Sequence, residues 1–222
     1  MPKLKPEETE QRRREIIDAA RACFLRNGFH QTTTDEICRE GSITPGGLYH
    51  YFGSKDEIIA AVIEDSTHTT LANLTNTAEA SGDIRSVIQT LRTIYYEWLV
   101  DPELDNVTRL DIEIWGETLR NDKLAEITRE AWLMRRRWVE WIMSRGKQEG
   151  YYRPEVDPAG LANLMMAIFD GLRLGRLLWK EDFDVNGALQ ALMLMQAGHV
   201  AVEQANGGQQ AEQPRTGSRK RA

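Results

Sequence analysis

Residues 28–57, GFHQTTTDEICREGSITPGGLYHYFGSKDE, carry polar groups at spacings suited to gripping another molecule rather than to making or breaking bonds. Thr33 and Glu36 stand three apart, the spacing of a capping box that opens a short helix through Ile37, Cys38 and Arg39. Gly41-Ser42 makes a turn. Thr44 then caps a further helix whose first position is Pro45, where a missing N–H costs nothing. Two short helices joined by a glycine-bearing turn of this length are a helix-turn-helix, and the second helix of such a unit enters the major groove of DNA leading end first. Gly46 and Gly47 at that end weaken the helix by roughly 1 kcal/mol each against alanine, and close approach of the backbone to DNA is a physical reason for having them. Tyr49, His50 and Tyr51 follow as donors able to reach phosphates or base edges, while Leu48 and Phe52, four apart, anchor the helix inward. Lys55 falls in the first turn of the next helix, where its charge opposes the macrodipole, which points to a phosphate supplied from outside. A helical hairpin using Tyr49, Tyr51 and Phe52 only as core would leave the glycines and the lysine unexplained.

The elements that must hold this stretch are helical throughout, and no run of alternating strand pattern appears. The first helix is expected from about Glu8 to Asn27, with Ile16, Ile17, Ala20, Cys23 and Phe24 on its apolar stripe and Gly28 as its stop. Ser54 and Glu57 form a second capping box for a long helix broken at Ser81-Gly82-Asp83. Further helices are expected from Ile84 to Asp101-Pro102, from Leu104 to Leu119, from Asn121 to Gly150, from Pro158 to about Lys180, and from Val185 to about Gln204. The expected fold is all-α. Residues 8–53 would form a three-helix DNA-binding domain, 54–205 a helical bundle for ligand binding and dimerisation, and 206–222, rich in Gly, Gln and Pro with a basic end, a disordered tail.

Residues 12–62 resemble the DNA-binding domain of the TetR family of regulators, and TPGGLYHYFGSK is similar to that family's most recognisable stretch. The resemblance implies backbone contacts from Thr33, Tyr49, His50 and Lys55, with Thr34, Thr44, Pro45 and Gly46 near the bases; Gly47 and Tyr51 complete the candidate DNA-binding set. The chain differs at Gly41-Ser42, where the family usually has Ala-Gly. Asp35 lies where some members place a basic contact.

The run from Trp115 to Gly198 resembles, more loosely, the C-terminal domain of the branch that includes the choline-sensing betaine regulators. In that branch the last two long helices of each subunit pack into a four-helix dimer interface. Leu161, Leu164, Ile168, Leu172, Leu189, Leu192 and Met193 offer the apolar area for it, and Gly171 and Gly175 would allow close helix approach. A homodimer reading a palindromic double-stranded operator is therefore expected. Tyr95, Trp98, Asp111, Trp115, Trp138, Met165 and Phe169 are candidates for an effector pocket, in which aromatic faces and a carboxylate would hold an apolar or cationic small molecule. Taken singly, each tryptophan is more readily a core or interface residue. Arg135-Arg136-Arg137 reads as a solvated face.

The net charge of −6 divides unevenly. Through Lys55 nine cations face eight anions (+1), and the remainder sets 19 against 26 (−7), a weak sign of a nucleic-acid face on an acidic body. Cys23 and Cys38 show no metal-ligand spacing and read as small apolar residues, and no Ser/His/Asp, metal or phosphate-loop motif points to an enzyme or a cofactor. The opening MPKLKPEETEQRRR lacks an apolar signal segment, and no stretch reaches a bilayer span, so a cytoplasmic location without membrane partners is expected. The sequence thus leads to a repressor released by a small-molecule effector. The alternative is a DNA-binding regulator controlled by a protein partner or by no effector at all.

Overall fold

The computed structural model describes residues 6–196. These form α1 (Pro6–Asn27), α2 (Thr34–Glu40), α3 (Pro45–Tyr51), α4 (Lys55–Ala80), α5 (Ile84–Val100), α6 (Leu104–Thr118), α7 (Asp122–Gln148), α8 (Pro158–Trp179), a 3-10 turn at Lys180–Asp182, and α9 (Val185–Gln196). Among the described residues there is no strand, and the fold is all-α as expected. Residues up to Val185 form one compact unit, and those from Asn186 belong to a second. The expected continuation of α9 past residue 196 and the expected tail at 206–222 lie outside the described residues.

The helix boundaries follow their caps. Asp83, Asn121 and Asp157 each accept backbone N–H bonds at the starts of α5, α7 and α8, and Gly28, Gly82 and Gly150 turn the chain at positive φ. The cap of α4 departs from the expected box. Ser54 Oγ accepts from Glu57 N–H at 3.2 Å, but the Glu57 carboxylate reaches one residue further back, to Gly53 N–H at 2.8 Å. The same carboxylate also takes Lys123 of α7 at 3.0 Å, so the cap doubles as a tie between elements.

Two apolar clusters hold the larger unit. The first joins Ile16, Phe24, Ile37, Leu48, Ile58 and Ile59 with Leu110 and Ile114 of α6 and Leu124 of α7. Each such side chain, fully buried, contributes about 1.5–3 kcal/mol. The helix-turn-helix is thus seated on α6 and α7 as well as on α4. The second cluster gathers Ala78, Ile84, Val87, Ile88, Leu91 and Ile142 where α4, α5 and α7 meet. No described helix is long and apolar enough to cross a membrane.

Candidate functional site

The short helices α2 and α3 are fixed by bonds to their own caps. Thr33 Oγ1 accepts from Glu36 N–H at 3.2 Å and Glu36 returns the bond to Thr33 N–H at 2.8 Å, which holds the Glu36 carboxyl below the usual carboxylate range. Thr44 Oγ1 accepts from Gly47 N–H at 3.1 Å. Leu48 and Phe52 are buried and draw α3 onto the first cluster, and half-buried Tyr51 packs beside them. Thr33, Thr44, Pro45, Gly46, Tyr49 (53% exposed) and His50 remain outward. Thr34 Oγ1 and Tyr49 Oη lie 3.4 Å apart, so the start of α2 and the outer side of α3 form one surface. An open groove of 680 Å³, lined by Arg39, Ser42, Ile43, Thr44 and Pro45 among others, runs beside the start of α3.

The two glycines of α3 have different reasons. A Cβ on Gly47 would lie 2.9 Å from Ile43 Cγ1, so the fold itself requires that position to be bare. A Cβ on Gly46 would meet nothing within 4 Å, so no internal contact accounts for it. The turn before α3 also explains the chain's departure from Ala-Gly: Ser42 adopts φ +47, the left-handed region where glycine is at ease, and Arg12 Nη2 steadies it by donating to Ser42 O at 2.9 Å.

Lys55 finds partners within the protein. Its Nζ donates to the carbonyls of Phe29 (2.8 Å), Thr32 (3.1 Å) and His30 (3.3 Å), and it sits 4.5 Å from the centre of the Phe29 ring. Three carbonyl dipoles offset its unfavourable position at the start of α4, an account that the expectation of an outside phosphate lacked. On its other side the same loop meets α6. His30 N–H donates to Glu113 Oε2 at 3.1 Å, His30 Nε2 lies 3.5 Å from the Glu117 carboxylate, and any side chain at Gly28 would collide with Glu113.

Behind this surface the expected pocket residues separate into groups. Trp98 stacks on Phe169 at 5.0 Å and 16°, and Tyr95 meets the Phe169 ring edge-on at 5.3 Å. Trp115 and Asp111 join them through a residue the sequence reading missed, Arg173. Its guanidinium lies 5.0 Å from the Trp115 ring centre and 6.0 Å from that of Phe169, and pairs with Asp111 and Asp170. Arg173 is only 3% exposed. The place expected for a cationic ligand is filled by the protein's own cation. Met165 is half-buried, one turn before Phe169. Trp138 belongs elsewhere: its Nε1 donates to Thr75 Oγ1 at 2.9 Å, and it packs on the second cluster and near Trp141. The solvated-face reading of the arginine triplet holds for Arg137 alone. Arg136 bonds Asn163 and Glu140, and the Nε of Arg135 is buried. The signal for Arg173 was present in the sequence, since an Asp170/Arg173 pair three apart on an otherwise apolar helix must find partners if buried.

The α8 residues expected at a dimer interface leave one face uncovered. Leu164 and Leu178 are each 54% exposed, and Gly171 between them has open space around it, while Leu161, Ile168 and Leu172 are half-buried. Gly175 serves the protomer instead, because a Cβ there would strike the Phe183 ring. In α9, Met193 is exposed and Leu189 and Leu192 are half-buried.

Residues 16–62 match the bacterial regulatory proteins of the tetR family, and residues 87–197 match the C-terminal domain of BetI-type transcriptional repressors. Among curated relatives, the transcriptional regulator UidR of Escherichia coli is 27% identical over 165 residues, spanning 74% of this chain and 81% of that protein. The regulator TtgR of Pseudomonas putida is 27% identical over 188 residues, 83% of this chain and 89% of that one. Among solved structures, a transcriptional regulator from Saccharomonospora viridis in complex with choline superposes with a TM-score of 0.70 at 21% identity, covering 83% of this chain and 94% of that one. FadR of Bacillus subtilis in complex with stearoyl-CoA gives 0.66 at 17%, covering 85% and 99%. These structural likenesses carry the fold, while the two family matches together cover more than half of the chain. With family matches over both of these stretches, the chain belongs to the TetR family of DNA-binding transcriptional regulators and is not an enzyme.

Proposed function

We propose that the protein is a dimeric repressor whose two α3 helices read a palindromic operator with half-sites about 34–36 Å apart. On this reading Thr33, Tyr49 and His50 take phosphates, Thr34, Thr44, Pro45 and Gly46 approach the bases, and Lys55 holds the 29–32 loop while lending its charge. Residues 8–53 act as the DNA-binding domain and 54–205 as the effector and dimerisation domain. The observation that carries the proposal is Gly46, exposed at the start of α3 with nothing inside the protein to explain it. Dimerisation would cover the Leu164, Gly171 and Leu178 face, since a stable interface needs about 800 Å² from each partner.

Gly46 also supplies the test. Gly46→Ala should raise stability by about 0.5–1 kcal/mol through helix propensity, because the added methyl meets nothing. It should at the same time lower operator affinity. Gly47→Ala should lose stability, because its methyl runs into Ile43. Undiminished operator binding by Gly46→Ala, read by fluorescence anisotropy, would remove the docking geometry.

Release follows from population shift: an effector held among Tyr95, Trp98, Trp115, Met165 and Phe169 would favour a state in which α4 or α6 draws the recognition helices out of register. Of the two ligand characters expected from the sequence, an apolar body is favoured, because the Arg173 guanidinium already stands where a cation would sit beside the half-buried Trp115 and Phe169 rings. The Arg173 guanidinium between Trp115 and Phe169 gives specific weight to the second reading, a regulator with no small-molecule effector. Operator affinity unchanged by every member of a metabolite panel would favour that second reading.

A further inference from the structure

The charged interior of the larger unit contains two arginines in opposite circumstances. Arg173 of α8 is fully engaged, with two carboxylates and two aromatic faces. A ring of aromatic faces with carboxylates behind it is the arrangement that recognises ammonium groups. The chain has built that arrangement and closed it with its own side chain.

Arg135 of α7 lies close to the same group. Its Nε is buried and finds no hydrogen-bond acceptor among the described residues. Its charge acts on the Tyr95 hydroxyl and on the Asp170 carboxyl. Burial pushes both of those groups up, with Arg135 opposing it in each case and Arg173 opposing it more strongly at Asp170. Asp170 is bonded to Arg173 at 3.0–3.1 Å and does not reach the Arg135 Nε. Thr128 repeats the pattern. Its Oγ1 is also buried without a partner among the described residues, and seven residues place it on the same face of α7 as Arg135, about 10 Å along the axis. Buried Ala131 lies between them on that side. Buried polar atoms almost always find partners, and charged donors are the costliest to leave without one.

We propose that Arg135 is the anchor of an anion site: the ligand is a monocarboxylate with an apolar body, its carboxylate taken by Arg135 and its body lying against Tyr95 and Phe169. Arg173 denies the aromatic cage to quaternary ammonium compounds such as the choline in the Saccharomonospora viridis regulator. A monoanion is favoured over a phosphate dianion, because Asp111 and Asp170 already face the two arginines and a second negative charge on the ligand would add to the burial cost. The proposal deepens the effector reading and rests on it only for the consequence of binding, not for the site.

Three probes with one tail separate the possibilities: octanoate, octyltrimethylammonium and 1-octanol, each titrated into the full-length protein with tryptophan fluorescence and thermal melting as readouts. Octanoate should bind at least tenfold more tightly than the other two. Arg135→Met should melt no lower than the wild type, since it removes an unpaired buried donor, and should lose the octanoate preference. Arg135→Lys should retain part of it. An equal or stronger response to the ammonium compound would overturn the site. So would no response to octanoate, an octanoate response that survives Arg135→Met, or an Arg135→Met protein that melts well below the wild type. Operator affinity is read in the same titrations on a DNA fragment selected by the protein itself. Octanoate bound through Arg135 with unchanged operator affinity would remove the release mechanism and leave the site standing. Release by octanol or the ammonium compound without an octanoate response would do the reverse.

Discussion

The interior beneath the recognition helix and the interior between α6, α7 and α8 solve opposite problems. Under α3, apolar side chains fill the core, and Lys55, at its margin, satisfies three carbonyls at once. Between α6, α7 and α8, Asp111, Asp170, Arg173 and Arg135 gather as a charged group, and the Arg135 Nε has no acceptor among the described residues. The first is built to hold a single shape for an outside partner. The second balances its charges, two carboxylates against two guanidiniums, but leaves a donor unbonded among the described residues. Marginal folding stability makes the contrast informative, because a region that leaves a buried donor unbonded gives up free energy the rest of the chain must supply.

The contrast can be broken most forcefully at Asp111. Asp111→Ala leaves Arg173 with only Asp170, and loss of one partner of a buried ion pair costs about 3–5 kcal/mol. Because the Asp111 side chain keeps a quarter of its exposure, the lower end, about 3 kcal/mol, is expected in a denaturant titration. A loss below about 1 kcal/mol would mean that the network is solvated.

At the other end, Lys55→Met frees three carbonyls. It should cost about 1–3 kcal/mol and weaken binding to every DNA sequence together. A Lys55 that acted on phosphate alone would show the loss of affinity without any fall in melting temperature.

Ser42→Gly should relieve the left-handed strain at φ +47 and gain about 1 kcal/mol, a rise of a few degrees in Tm. No change would indicate that the Arg12 bond already offsets the strain.

The smallest effect concerns pH. Glu36 and Glu57 are held below the ordinary carboxylate value of 4.5 by backbone N–H bonds from Thr33 and Gly53. Their contribution is complete above that value and is lost as pH falls through the lowered one. Burial sets Asp170 the other way, so its ionisation weakens the fold as pH rises from 3.8 through its raised value. Glu36→Gln should therefore flatten the acid limb of the stability profile, checked by melting between about pH 3 and 6. An unaltered limb would place its origin outside the caps.

Most of the recognition unit was legible because its determinants are local. Thr33 with Glu36, Thr44 with Pro45, and Leu48 with Phe52 all act within four residues, and the structure has each of them in place. The box at Ser54 failed by one residue because Glu57 also answers to Lys123, sixty-six positions away. The internal partners of Lys55 were out of reach for the same reason, since they lie on a loop that sequence spacing does not bring near. In the C-terminal half the aromatic residues were found, but their grouping was not. Trp98 of α5 stacks on Phe169 of α8, whereas Trp138 points to Thr75 on α4. Periodicity shows that a side chain is inward and does not show toward which neighbour. The two bare positions of α8 likewise looked alike, and only Phe183 distinguishes Gly175 from Gly171.

Asp111 and Glu113 stand two residues apart on α6, roughly 200° around its axis and about 3 Å along it. One is tied to the buried arginine of α8 and the other to the His30 amide in the α1–α2 connection. A see-saw with arms this short has almost no slack: one stiff turn of backbone separates the two grips. A twist of α6 that slackened the first would be delivered to the second undiminished.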